Sequence, residues 1–181
     1  YKDYLISETD LQEVVYEVLA KNQGYLIQNQ VQAEVDCPDL VYTDKKWIAF
    51  ILNQMILNSI KYRGDTPMLK FYTIKQEQGV LLALEDNGTG IGESELARIF
   101  EKGFTGSNGR SHERATGMGL YLCRKLCQKL GIEVWAESII GKGTRMILDF
   151  PISSYLTILK DRCKPARYQS LLIIGRIRLP I

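Results

Sequence analysis

The chain has 181 residues, 45% hydrophobic and 24% charged, with a formal net charge of +2 and four cysteines. That size fits one ordinary domain, which can bury its own core without disulfides. No apolar run is long enough to cross a bilayer and the start, YKDYLISETD, is no signal peptide. A cytoplasmic domain is therefore expected, and any spanning segments of a membrane-anchored parent would lie outside it.

The first periodic stretch, SETDLQEVVYEVLAKNQ, places Leu11, Val14, Val15, Val18 and Leu19 at helical spacing behind Ser7 and Thr9 as caps. QVQAEVD alternates, which predicts a strand with Val31, Ala33 and Val35 on one face. CPDL is a turn, and LVYTD reads as a short strand ending on Asp44, an expected helix cap. KKWIAFILNQMILNSIKYRG carries a wide apolar stripe from Trp47 to Ile60 and predicts a helix stopped by Gly64. Gln54 and Asn58 lie one turn apart on a neighbouring stripe, with Lys61 and Tyr62 one turn on.

PMLKFYTIKQEQGVLLALEDNG predicts a hairpin turning near Gln78-Gly79, and SELARIFE a short helix with Leu96, Ile99 and Phe100 as its apolar side. From Lys102 to about Gly119 the chain is polar, glycine-rich and aperiodic. A loop of that length inside a compact domain is usually functional or disordered. MGLYLCRKLCQKLG resumes a helix that Gly131 stops, and IEVWAES and GTRMILDFP are alternating strands joined by IIGKG. The resulting class is α+β: a mixed, mainly antiparallel sheet covered on one face by helices.

Two regions carry no chemistry on this reading. Cys123 and Cys127 are four apart on a helix and share a face expected to be core, and with one His no zinc set is complete. Residues 158–181 hold six bases and one acid, net +5, leaving −3 over residues 1–157. This basic extension has no base-reading motif, so no nucleic-acid partner is expected. The domain is expected to occupy residues 1–157.

The stretch LEDNGTGIGE puts a carboxylate, Asp86, at a strand end and follows it with alternating glycines. Asp-Asn-Gly by itself is a common turn. An ionised carboxylate is also a pure acceptor suited to the exocyclic amine of a purine, and Gly88 and Gly90 let backbone approach a ligand. The phosphate-cradling G-x-x-x-x-G-K-[ST] loop and the dinucleotide G-x-G-x-x-G pattern are both absent.

Four separated pieces, NQMILNSIKY (53–62), EDNGTGIG (85–92), IFEKGFTG (99–106) and TGMGLYL (116–122), followed by GKGT (141–144), are specific together. In this order and spacing they resemble the ATP-binding domain of two-component sensor histidine kinases. That domain belongs to the superfamily shared with gyrase, the ninety-kilodalton heat-shock chaperone and mismatch-repair ATPases. The resemblance covers about Leu40 to Pro151, and its wording is most similar to Gram-positive kinases that sense bacitracin-like antimicrobial peptides. It implies an α/β sandwich of the Bergerat type with a long flexible lid over ATP and Mg²⁺.

On this resemblance Asn58 ligates Mg²⁺, Lys61 meets phosphate and Tyr62 lies at the base. Gln54 stands where the family usually has a second Asn. Asp86 accepts the adenine amine, Gly88 and Gly90 allow hinging and close approach, and Phe100 and Phe104 anchor the lid. Gly117, Gly119 and Leu120 meet the nucleotide at a helix start, and Thr144 backs the adenine pocket. Each residue also has a plainer reading: Asn58 a satisfied polar residue, Lys61 solvated surface, Tyr62 core, Arg110 and Arg114 loop charges rather than phosphate clamps. The implied partners are a histidine-bearing dimerisation domain of the same protein, a response regulator, and a second copy in a full-length membrane-bound homodimer. His112 lies in the polar lid, not on an amphipathic helix, so the acceptor histidine is expected elsewhere and the isolated chain is expected not to autophosphorylate. An anti-sigma-factor-type serine kinase and an ATP-driven clamp of the same superfamily are the alternatives.

Overall fold

The computed structural model describes residues 4–106 and 116–152. The expectations for Arg110, His112, Arg114 and the order of the lid, and for the segment 158–181 with its boundary at 157/158, lie outside the described residues.

Five strands form the main sheet: β2 (Gln32–Asp36), β4 (Met68–Gln76), β5 (Gly79–Asp86), β6 (Glu133–Ile139) and β7 (Gly143–Pro151), in the order β2-β4-β5-β7-β6. Only β2 and β4 run parallel. The other neighbours are antiparallel, so the sheet is mixed and mainly antiparallel, as the alternation predicts. A separate two-stranded ribbon pairs β1 (Ser7–Asp10) with β3 (Leu40–Thr43).

Helices α1 (Leu11–Lys21), α3 (Lys45–Lys61) and α5 (Gly119–Leu130) cover one face, with the short α2 (Gln23–Gln28) and α4 (Glu93–Leu96) between elements. The core lies between that face and the sheet. Leu69, Phe71, Leu82, Leu84, Met146 and Leu148 meet Leu11, Val15, Ile48, Leu52, Met55, Cys123 and Cys127, all buried. The outer face is guarded by one cross-strand row, Tyr72–Ala83–Ile147–Trp135, in which the central Ala83 and Ile147 are buried. Aromatic residues at both ends of such a row shield the small apolar ones between them.

The structure corrects several boundaries. Ser7 and Thr9 are not caps: they pair with Thr43 and Val41 in the ribbon, and Asp10 caps α1 by accepting the Glu13 amide at 3.1 Å. That pairing spans more than thirty residues and overrides the local cap signal. Asp44 caps α3 as expected, accepting the Lys46 and Trp47 amides, and its second oxygen takes the Leu5 amide at 2.8 Å. Helix α3 stops at Tyr62 rather than Gly64, because the Tyr62 carbonyl accepts the Thr89 amide at 3.0 Å. Ala33 is exposed on β2, an edge strand paired on one side only. The predicted helix over 94–101 shrinks to α4, although Ile99 and Phe100 are buried.

Candidate functional site

The end of β5 brings Asp86 beside the start of β7, in register with Thr144. Its carboxylate is fully engaged. Oδ1 accepts the Gly88 amide at 2.9 Å and the Thr144 amide at 3.1 Å, and Oδ2 accepts the Ser59 hydroxyl at 2.7 Å. Burial pushes the Asp86 carboxyl above the usual carboxylate range, and those three hydrogen bonds oppose the shift without cancelling it. Ser138 ties the surroundings together: its hydroxyl donates to the Gly143 carbonyl at 2.8 Å and accepts the Ile91 amide at 2.8 Å. Since that proton is committed to Gly143, the 2.9 Å contact with Thr144 is donated by the Thr144 hydroxyl.

Close backbone contacts make this geometry possible. Gly143 has φ +117°, and a Cβ there would lie 1.9 Å from the Asp86 carbonyl oxygen. A Cβ on Gly88 would meet the Tyr62 carbonyl at 2.5 Å, and one on Gly90 the Ile139 carbonyl at 2.2 Å. Asn87 is a turn-former: its side chain accepts the Met68 amide and donates to the Thr66 carbonyl.

Asp86 opens into a cleft of about 270 Å³ between α3, the sheet margin and the start of α5. The cleft gathers Asn58, Lys61 and Tyr62 from the end of α3, Asp86 and Gly90 after β5, and Phe104 before the lid. Gly117, Gly119 and Leu120 from the start of α5 and Thr144 from β7 complete it. Gly88 is absent from the lining and sits behind it, against Tyr62. Phe100 is buried core, with the Arg124 guanidinium 5.9 Å from its ring.

At the far end, a Cβ on Gly119 would lie 2.8 Å from the Gln54 side-chain oxygen, so glycine lets that amide reach the first turn of α5. Among the described residues no side chain caps this turn, which leaves its amides to other acceptors. The stems of the lid touch where Gly103 donates to the Gly117 carbonyl at 3.0 Å; Gly117 needs to be glycine both for its φ of +64° and because a Cβ there would lie 2.4 Å from the Gly103 carbonyl carbon. The Arg98 guanidinium lies 4.6 Å from the Phe104 ring, and the Lys61 ammonium 5.0 Å from the Tyr62 ring.

Among the described residues no three His, Cys, Asp or Glu side chains gather as a metal site. Besides Asp86, whose carboxylate is engaged by three hydrogen bonds, the oxygen donors lining the cleft include the amides of Asn58 and Gln54 and the carboxylate of Glu95. Few, hard oxygen donors fit a Mg²⁺ ion that takes its remaining ligands from phosphate and water. Cys123 and Cys127 are buried in the core, and burial pushes both thiols up to about 12.

Sequence reasoning missed Ser59, Ile91, Glu95, Ile99, Thr105 and Met146 as lining residues. Ser59 did carry a signal: it follows Ile48, Leu52 and Met55 on the buried stripe of α3, where a hydroxyl needs a partner.

Sheet, helical layer and a cleft ending on a buried carboxylate place the chain among the α/β-sandwich ATPases. It belongs to the histidine kinase-, DNA gyrase B- and HSP90-like ATPase family, whose profile matches residues 43–154. Membership of an ATPase family implies that the nucleotide is ATP. The chain is 35% identical over 154 residues to the sensor histidine kinase GraS of Staphylococcus epidermidis, covering 83% of this chain and 44% of GraS. It is 32% identical over 152 residues to the sensor histidine kinase YxdK of Bacillus subtilis, covering 82% and 47%. It thus spans less than half the length of these relatives. The catalytic domain of the histidine kinase ThkA superposes with a TM-score of 0.70 at 22% identity, over 81% of this chain and 95% of that one, a likeness of fold.

Proposed function

We propose that this chain is the ATP-binding catalytic domain of a sensor histidine kinase. It binds ATP with Mg²⁺ and donates the γ-phosphoryl group to a histidine on a dimerisation domain outside these 181 residues, for relay to an aspartate of a response regulator. The full-length protein is a membrane-bound homodimer of the antimicrobial-peptide-sensing group. One observation carries the reading: Asp86 and Asn58 face the same cleft from opposite elements.

The roles follow from chemistry. Asp86, its carboxylate fixed by three hydrogen-bond donors, accepts the adenine amine, and Thr144 backs the base. Tyr62 forms the wall beside it. The amide oxygens of Asn58 and Gln54 hold Mg²⁺, which when bound neutralises phosphate charge. Lys61 adds a point charge near the phosphates. The uncapped first turn of α5, at Gly119 and Leu120, presents amides to phosphate oxygens. Phe104 and Gly117 fix the lid stems, while Gly88 and Gly90 let the backbones behind Asp86 converge. In the transfer itself an imidazole nitrogen forms the new bond to phosphorus as the bond to the β-phosphate oxygen breaks. This chain contributes position and charge rather than a covalent intermediate.

The test is calorimetric ATP binding with and without Mg²⁺, followed by labelling with γ-labelled ATP on the protein expressed from its full reading frame. Acid-labile, base-stable label on a histidine outside this chain is expected. Label on serine, or on His112 of the isolated chain, contradicts the proposal.

A further inference from the structure

We infer that Ser59 is a specificity-determining positioning residue: its hydroxyl holds the Asp86 carboxylate as an acceptor-only group, and this selects adenine over guanine. The inference rests on the reading of the cleft as an ATP site.

Ser59 is 7% exposed and lies in the last two turns of α3. A helical serine commonly bonds back to the carbonyl four residues earlier. Here the hydroxyl instead crosses to Asp86 Oδ2 at 2.7 Å. Among the described residues it is the only side chain hydrogen-bonded to that carboxylate; the other two donors are backbone amides fixed by the fold. Ser59 is therefore the one donor that a side-chain substitution removes. With its proton spent on Oδ2, the Ser59 oxygen presents only lone pairs, so hydroxyl and carboxylate together form an acceptor wall.

The two purines differ at the position facing that wall. Adenine brings an amine, which donates; guanine brings a carbonyl oxygen, which accepts. An ionised Asp86 rejects guanine, whereas a protonated one donates to it. The balance of protonation therefore sets the preference. Burial and the neighbouring Glu85 favour the proton, and the Ser59 hydrogen bond disfavours it. The other charges facing Asp86 do not settle the matter. Lys61 of α3 and Glu95 of α4 share the cleft, and Lys142, Arg145 and Glu137 line the small hollow behind. Arg145 is engaged by Glu85 at 2.9 Å and Glu137 at 3.2 Å.

The experiment compares ATP and GTP binding, each with Mg²⁺, from about pH 5 to pH 8, for the wild type, Ser59→Ala, Ser59→Thr and Asp86→Asn. Thermal melts confirm that each variant is folded. Ser59→Ala is expected to lower the ATP-over-GTP preference about tenfold. It is also expected to move the acid loss of ATP binding to higher pH, because removing a hydrogen bond to the ionised form raises the carboxyl further. Phosphate titration is common to all variants and cancels. Ser59→Thr, which keeps the hydroxyl, restores both properties. A role in packing alone would weaken both nucleotides equally and leave the acid limb in place; that result, or an unchanged Ser59→Ala, overturns the inference. If Asp86→Asn binds ATP like the wild type, the reading of the cleft fails and this inference with it. If Asp86→Asn loses ATP while Ser59→Ala behaves as wild type, only the role of Ser59 is wrong.

Discussion

The two ends of the cleft are built differently. The base end is part of the sheet: Asp86 terminates a central strand, and its partners Thr144 and Ser59 are both buried. The phosphate end is made of element termini, namely the end of α3, the start of α5 and the lid stems joined at Gly103 and Gly117. On the proposed reading of the cleft as an ATP site, base recognition is therefore fixed by folding itself. Phosphate recognition depends on groups that helix ends leave available and that a charged ligand completes. Backbone damage at the first end should cost stability and binding together; at the second it should cost binding more than stability.

The largest effect is expected at Gly143. Gly143→Ala forces a Cβ against the Asp86 carbonyl, with backbone on both sides of the clash. It should destabilise the fold by about 3 kcal/mol and abolish nucleotide binding, as denaturant melts and calorimetry would show. Gly117→Ala also drives a Cβ into backbone, at Gly103 and Phe104, but only in the lid stems; it should weaken ATP binding and lower the melt less than Gly143→Ala does. Equal destabilisation by both would erase the contrast.

Asp86→Asn should weaken ATP binding roughly a hundredfold and abolish the fall in nucleotide-free melting temperature with rising pH that this carboxyl gives the wild type. The sign follows from linkage. Burial holds this carboxyl above its unfolded value, so the folded state binds the proton more tightly than the unfolded chain. Its contribution to stability is fully present below the unfolded carboxylate pKa and falls as pH rises through the raised folded one. The asparagine variant should lose that slope in a pH series of thermal melts.

Smaller effects belong to the phosphate end. Asn58→Ala should reduce the Mg²⁺-dependent part of ATP affinity about tenfold with little change in Mg²⁺-free binding. Lys61→Ala should cost a factor of about three, and the difference should shrink in high salt because a half-exposed charge is partly screened.

The same contrast explains what the sequence disclosed. Asp86 and Asn58 stood out because each belongs to a short motif whose residue types are chemically constrained, and the fold brings both to one cleft. Ser59 was only half legible: its place on the buried stripe of α3 calls for a hydrogen-bond partner, but the partner, Asp86, lies 27 positions away and is identified only by the fold. Gly88 was assigned to the ligand but serves the backbone behind it, a distinction that depends on where the Tyr62 carbonyl lies. The helices α1, α3 and α5 were readable from their periodic stripes. The β1 ribbon and the exposed edge of β2 depend on which strand pairs with which, and local propensity does not carry that information.

The central claim is that one nucleotide spans both ends, and amide chemical-shift mapping tests it most directly. Adenosine alone should move the Ser59, Gly88 and Thr144 amides and leave Gly119 in place, whereas ATP with Mg²⁺ should move all four together with the Asn58 side-chain amide. If ATP with Mg²⁺ leaves Gly88 and Thr144 unmoved, or adenosine perturbs the start of α5 instead, the assignment of base and phosphate to these two ends is wrong.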